Sequence, residues 1–155
     1  MKAVIQRVKQ ARVTVDKQEA ASVSEGFLVL FAVHRNDEKA DIDYMVNKIL
    51  NLRIFEDENH KANLSVRDIE GEILLVPQFT LISSTRKGNR PSFTDAADYE
   101  KAKAFSELFF QEMKMHFNSV KYGVFRAYMQ VSLVNDGPFT IIIDSLDRQS
   151  PRRQA

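Results

Sequence analysis

The sequence contains no cysteine, which excludes disulfides, thiolate nucleophiles and thiolate metal sites together. No apolar run approaches the roughly 20 residues that a membrane span requires. The start, MKAVIQRV, has neither the apolar stretch nor the small-residue cleavage site of a secretory leader, so a cytoplasmic protein without a membrane partner is expected. Glycine is sparse: the five glycines stand at 26, 71, 88, 123 and 137, too far apart to cradle a phosphate, and no Gly-x-Gly-x-x-Gly follows a strand. Neither sign of charge dominates, the formal net charge being +1, and composition alone does not point to nucleic acid. His34, His60 and His116 are scattered. With no Gly-x-Ser-x-Gly, His-Glu-x-x-His or Walker sequence, the common hydrolase and metal signatures are missing. Glu56, Asp57 and Glu58 lack the alternating ligands of a calcium loop and read as a solvated turn. No metal and no cofactor is expected.

What is present is an ordinary globular composition, 155 residues with 44% hydrophobic and 28% charged side chains. This is the size of one domain. Residues 1–146 are read as that domain and 147–155 as a basic, flexible tail. Positive charge is concentrated locally, at Arg86, Lys87 and Arg90 and again at Arg148, Arg152 and Arg153.

Alternation over Val4–Val8 and the composition of Ala11–Val15 predict two short strands. Phe27–Val33 is continuously apolar, as in a central strand covered on both faces. Asn36 and Asp37 are good caps before Ile42, Met45, Val46, Ile49 and Leu50, whose spacing predicts a first helix. Glu56–Asn63 is polar and turn-rich. After Gly71, EILLVPQFTLI reads as a strand interrupted at Pro77, where a bulge or an edge position is expected because proline cannot donate to a ladder. Ala102, Phe105, Leu108, Phe109 and Met113 predict a second helix from Asp98 to about Phe117. Tyr128–Val134 and Phe139–Ile143 predict two strands joined by Asn135-Asp136-Gly137-Pro138, read as a β-turn. This order argues for an α+β domain with helices layered on sheet.

Two segments stand out for chemistry. By pattern alone, Gln78-Phe79-Thr80-Leu81 is a half-buried strand with ordinary alternation. By the same standard, Asn135–Thr140 is a turn whose Gly137-Pro138 bond can take the cis form at modest cost.

Together these segments identify a resemblance. Over Met1 to about Ser145 the chain is similar to the bacterial-type D-aminoacyl-tRNA deacylase (D-tyrosyl-tRNA deacylase) family. Its signatures, Ser-Gln-Phe-Thr and Asn-x-Gly-Pro-x-Thr, are matched at Pro77–Thr80 and Asn135–Thr140. NLRIFEDENHKANLSV, TRKGNRPSF and VSLVNDGP are also family-like and stand in order.

The resemblance implies a β/β/α layered fold, with mixed sheets forming a barrel-like core and two main helices. It also implies a homodimer acting on the 3′-terminal adenosine of aminoacyl-tRNA. Gly137-Pro138 corresponds to a cis peptide whose carbonyls enter the partner subunit's site and exclude L side chains, while D side chains and glycine pass. Arg7 corresponds to an arginine that fixes this loop, with Asn135 and Thr140 bounding the motif. Such specificity rejects the wrong ligand without gripping the right one. Gln78, Phe79 and Thr80 fall at the catalytic segment. An aminoacyl ester is already activated, so orienting it and stabilising an oxyanion through backbone N–H groups is favoured over Thr80 as a nucleophile. Arg86, Lys87 and Arg90 are the candidate tRNA contacts. Pro77 departs from the family's usual serine, as a related animal branch does, and removes a hydroxyl and a backbone donor. The rival readings are an aminoacyl-tRNA esterase with relaxed chirality, a non-catalytic module binding single-stranded RNA ends with Phe93 as a stacking aromatic, and a homodimeric structural protein.

Overall fold

The computed structural model describes residues 1–149. The first strand, β1 (Lys2–Val15), is one continuous element where two short strands are expected. It continues because Val8, Ala11 and Val13 remain buried along its second half. β2 (Gln18–Val23) folds back on that half after Asp16 and Lys17, both at positive φ. β3 (Gly26–Ala32) pairs antiparallel with the first half of β1. At Gly26, φ is +153 and an added Cβ would fall 1.9 Å from the Glu72 carbonyl oxygen. Only glycine fits so close a backbone approach.

The first helix, α1 (Lys39–Leu50), is capped by Glu38 rather than Asn36 or Asp37. The Asp41 carboxylate accepts from the Glu38 N–H, and Asp37 is used elsewhere, accepting from the His34 N–H. β4 (Phe55–Glu56) and β5 (Ala62–Leu64) form a small hairpin whose paired ends flank the polar, turn-rich segment Glu56–Asn63. β6 (Glu72–Pro77) runs parallel to β3. α2 (Tyr99–His116), capped by the Asp98 side chain, leads to β7 (Val120–Tyr122), parallel to β6.

Where two strands and a reversing turn are expected, β8 (Gln130–Asp144) lies along β1 for its whole length. Gln6 faces Thr140 and Val8 faces Asn135, so Asp136–Phe139 loop out opposite Arg7 without reversing the chain.

The main sheet runs β2-β1-β3-β6-β7 with β8 added on β1, and it curls into a barrel-like core. Alternation along β3 and β6 separates two apolar layers. Phe27, Val29, Phe31, Ile73 and Leu75 face the helices and pack with Ile42, Met45, Ile49, Phe109 and Met113. Leu28, Leu74 and Val76 point the other way, toward Val8, Val13 and Val23. Both strands are therefore buried on both faces, as their unbroken apolar runs require. Each large side chain in these layers contributes about 1.5–3 kcal/mol relative to exposure.

The chain then forms a short 3-10 helix, Ser145–Gln149. Within the expected tail, Arg148 is held by two hydrogen bonds to the buried Asp41. Arg152 and Arg153 lie outside the described residues. Among the described residues, no helix is long and apolar enough to cross a membrane.

Candidate active site

Gln78, Phe79 and Thr80 follow the carboxyl end of β6. Along this strand the N–H groups alternate in direction: that of Ile73 reaches Ser119 on the β7 side, and that of Gln78 reaches Phe31 on β3 at 2.7 Å. Pro77 falls on the β7 side, so its missing N–H coincides with the end of the β6/β7 ladder at Leu75 and Tyr122. Of the two expected alternatives the edge position is found: among the described residues Pro77 has no partner on its β7 side, and the β3/β6 register runs through it without a bulge. Proline is accommodated because β7 stops short of it.

Beyond Pro77 the strand gives way to a single 3-10 turn, Phe79–Leu81, closed by Leu81 N–H to Gln78 O at 3.1 Å and Ile82 N–H to Phe79 O at 3.0 Å. A first turn leaves its leading N–H groups without internal acceptors. Among the described residues none is found for those of Phe79 and Thr80. The Gln78 side-chain amide donates to the Thr80 hydroxyl, and among the described residues no histidine or lysine nitrogen meets that hydroxyl. Phe79 is 58% exposed and packs edge-to-face on Phe93 at 5.2 Å.

The basic loop lies beside this turn. Ser84 and Ser92 exchange backbone hydrogen bonds of 2.8 and 2.9 Å, closing a loop that carries Arg86, Lys87 and Arg90, all exposed. Phe93 follows this closure directly, so the loop and the turn share one aromatic contact. A cleft of about 210 Å³ adjoins them, lined in part by His34, Ile82, Ser84 and Ser92. A larger cleft of about 480 Å³ lies elsewhere, along Lys9, Arg12, Glu19, Glu72 and Lys121. Its Lys121 and Arg12 are matched by Glu72 and Glu19 at 3.5 and 3.9 Å.

The second segment is built around Arg7, which is only 7% exposed. Its guanidinium donates to the Asp136 and Ile54 carbonyls at 3.1 and 2.6 Å, lies 3.2 Å from the Asp136 carboxylate and sits over the Phe139 ring. Asp136 also meets Lys9 at 3.4 Å. The looped-out residues are thus tied to β1 from beneath, while Asn135, Gly137, Pro138 and Thr140 are exposed. The Gly137-Pro138 bond is cis. Gly137 has φ +126, and a Cβ there would meet the Phe139 nitrogen at 2.9 Å.

These two segments do not meet within one chain. Phe31, level with Pro77, pairs with Ala3, whereas the loop stands opposite Arg7. Four residues of β1 separate them by about 13 Å along the strand, before the lateral offset across β1 and β3 is added. Sequence reasoning missed Asp136, Lys9 and Phe139 as partners in the brace. Nothing local signals them, since only the β1/β8 register brings position 7 to position 136.

A barrel-like sheet with two helices, carrying a polar turn at the ends of parallel strands, defines an α+β protein whose surface is available for ligand chemistry. The sequence profile of the family described as D-Tyr-tRNA(Tyr) deacylase matches residues 4–144, and the chain belongs to that family. Membership places it among hydrolases. It is 47% identical over 154 residues to the D-aminoacyl-tRNA deacylase of Dictyoglomus turgidum, covering 99% of each chain. To that of Clostridioides difficile it is 51% identical, over 94% of this chain and 97% of the other. The solved structure of a c-Myc DNA Unwinding Element Binding Protein is similar with TM-score 0.89 and 43% identity, covering 93% of this chain and 98% of that one. A probable eukaryotic D-amino acid tRNA deacylase shares the fold at 17% identity, with TM-score 0.80 and coverage of 92% and 97%.

Proposed function

We propose that the protein hydrolyses the ester of D-aminoacyl-tRNA in the cytoplasm, and that of glycine mischarged on alanine tRNA, as a homodimer that excludes L-aminoacyl esters sterically. Water adds to the ester carbonyl, the bond to the 3′ ribose oxygen breaks, and a proton from the water ends on that oxygen. Free amino acid and tRNA are released. The N–H groups of Phe79 and Thr80 receive the oxyanion, Gln78 and the Thr80 hydroxyl orient the ester, and Arg86, Lys87 and Arg90 meet the tRNA backbone. Gly137 and Pro138 of the second subunit present their carbonyls to the side-chain position, where an L substituent collides and a D substituent or hydrogen does not.

The observation that carries this reading is the outward-facing Gly137-Pro138 loop, braced by the buried Arg7 yet about 13 Å along the sheet from the Gln78 turn of its own chain. A loop so placed serves a second copy better than its own. β8 also has a free edge, and Leu133, Val134 and Ile142 on it are exposed, an apolar surface suited to covering in a dimer.

Hydrolysis of D-Tyr-tRNA, L-Tyr-tRNA and Gly-tRNA is to be measured side by side with sedimentation of the same protein. The D and glycyl esters should be cleaved and the L ester spared. Equal cleavage of L and D esters would replace this reading with an esterase of relaxed chirality, and a fully active monomer would remove the cross-subunit screen. Pro77→Ser should leave D-Tyr-tRNA hydrolysis within about twofold, because the ladder ends there in either case, and any change should appear as stronger L-rejection.

A further inference from the structure

Where the β6/β7 ladder ends, the chain leaves β7 at Gly123, whose N–H is still held by the Leu75 carbonyl at 2.8 Å. It then enters a tight turn closed by Ala127 N–H to Val124 O at 3.2 Å. Arg126 occupies the third position of this turn at φ +65, a left-handed conformation that glycine usually supplies. A bulky residue is held there against its backbone preference, a pattern found at ligand-binding sites. Its guanidinium lies 5.1 Å from the ring centre of Tyr99, which also packs against Phe125. Unlike Arg35 and Arg148, which pair with Asp95 and Asp41, Arg126 meets no carboxylate among the described residues. Two positions on, Tyr128 is 90% exposed.

This turn leaves β7 at the same end of β6 as the Gln78–Thr80 turn, since Gly123, where it begins, lies against Leu75 and Val76, three and two residues short of Gln78. Tyr99 begins the helix that follows Phe93. Phe79, Phe93, Tyr99, Phe125 and Tyr128 thus gather with Arg126 beyond the end of β6, and Arg126, like Arg86, Lys87 and Arg90 of the basic loop, has no acidic partner among the described residues. Cations that track phosphates and rings that stack on bases are the two elements of single-stranded nucleic-acid binding.

We infer that Arg126 and Tyr128 bind the single-stranded 3′ end of the tRNA, Arg126 at a phosphodiester and Tyr128 by stacking on a base upstream of the terminal adenosine. The inference rests on the proposed deacylase reading and extends it to residues outside both signatures. The Tyr99 ring keeps the guanidinium oriented before RNA arrives, which lowers the ordering cost of binding.

The test uses a short single-stranded RNA with the tRNA 3′ sequence, titrated by fluorescence anisotropy at several salt concentrations against full-length wild type, R126G, R126K and Y128A. R126G should weaken binding about tenfold and reduce the slope of log Kd against log salt by about 0.7, the amount for one phosphate on a single strand. Its Tm should equal or exceed that of wild type, because glycine suits the left-handed position. R126K should restore the slope, and Y128A should weaken binding about tenfold while leaving it unchanged. If R126G lowers the Tm and leaves Kd and slope unaltered, Arg126 is only a staple to Tyr99 and the inference is overturned. Wild type that binds the RNA but cannot hydrolyse D-Tyr-tRNA would overturn the deacylase reading and leave this surface standing. Wild type that hydrolyses D-Tyr-tRNA while both variants bind normally would overturn this surface alone.

Discussion

Gln78–Thr80 and Asn135–Thr140 both present exposed groups to solvent, but they are supported differently. The first hangs from β6, a strand buried on both faces, and its position comes from a parallel ladder and the two apolar layers. The second interrupts β8 on the free edge of the sheet and is held chiefly by one buried side chain, Arg7. A segment supported by the core tolerates loss of its own side chains. A loop resting on one arginine does not tolerate loss of that arginine.

Arg7→Ala should therefore have the largest effect. It removes the bonds to Ile54 and Asp136 and leaves Asp136 facing Lys9 alone, at a cost of about 3 kcal/mol in urea unfolding. Deacylation should fall about a hundredfold or more, and Arg7→Lys should recover only part of either loss because an ammonium lacks the guanidinium fork. An Arg7→Ala protein with wild-type activity would erase the contrast between the segments.

Thr80 probes the other side. Thr80→Ser should retain most activity, and Thr80→Ala should lower kcat by about ten- to a hundredfold, with stability moving less than about 0.5 kcal/mol because the residue is exposed. Removing the nucleophile of a serine protease lowers kcat by about 10⁶. A collapse of that size, or a trapped acyl-threonine, would make the first segment chemical rather than positional.

The smallest effect concerns a brace that touches neither segment. Burial opposes ionisation of Asp41, yet hydrogen bonds from Arg148, the Glu38 N–H and Ser145 lower its pKa to about 2. A carboxylate depressed in the folded state contributes stability that is present above its unfolded pKa near 4 and is lost as pH falls toward 2. The contribution is about 2 kcal/mol. Urea unfolding between pH 5 and pH 2 should show this loss in wild type and a flatter profile in Asp41→Asn. If activity falls together with this loss of stability in wild type while Asp41→Asn keeps a flat activity profile over the same pH range, the two segments are less independent of this brace than the geometry indicates.

Sequence alone determined the elements with strong local signals. Phe27–Val33 reads as a doubly covered strand because every side chain is apolar, and both helices read from their spacing. The two motifs were legible as motifs, and so was the concentration of charge at Arg86, Lys87 and Arg90. Other features required the tertiary structure. β1 reads as two strands because its polar residues suggest a break, but the chain continues since β2 and β8 cover its second half. Asn135–Pro138 has the composition of a reversing turn, yet both flanks pair with β1, so the same residues become a loop within one strand. Turn chemistry is local, whereas the choice between reversing and bulging belongs to the partner strand. The resemblance pointed to Arg7 as the residue fixing the Gly137-Pro138 loop, but its partners Asp136 and Ile54, and the stacking of Arg126 on Tyr99, could not be read from the chain. Contacts between distant positions are set by sheet register, and register is decided by burial on both faces of the assembled sheet.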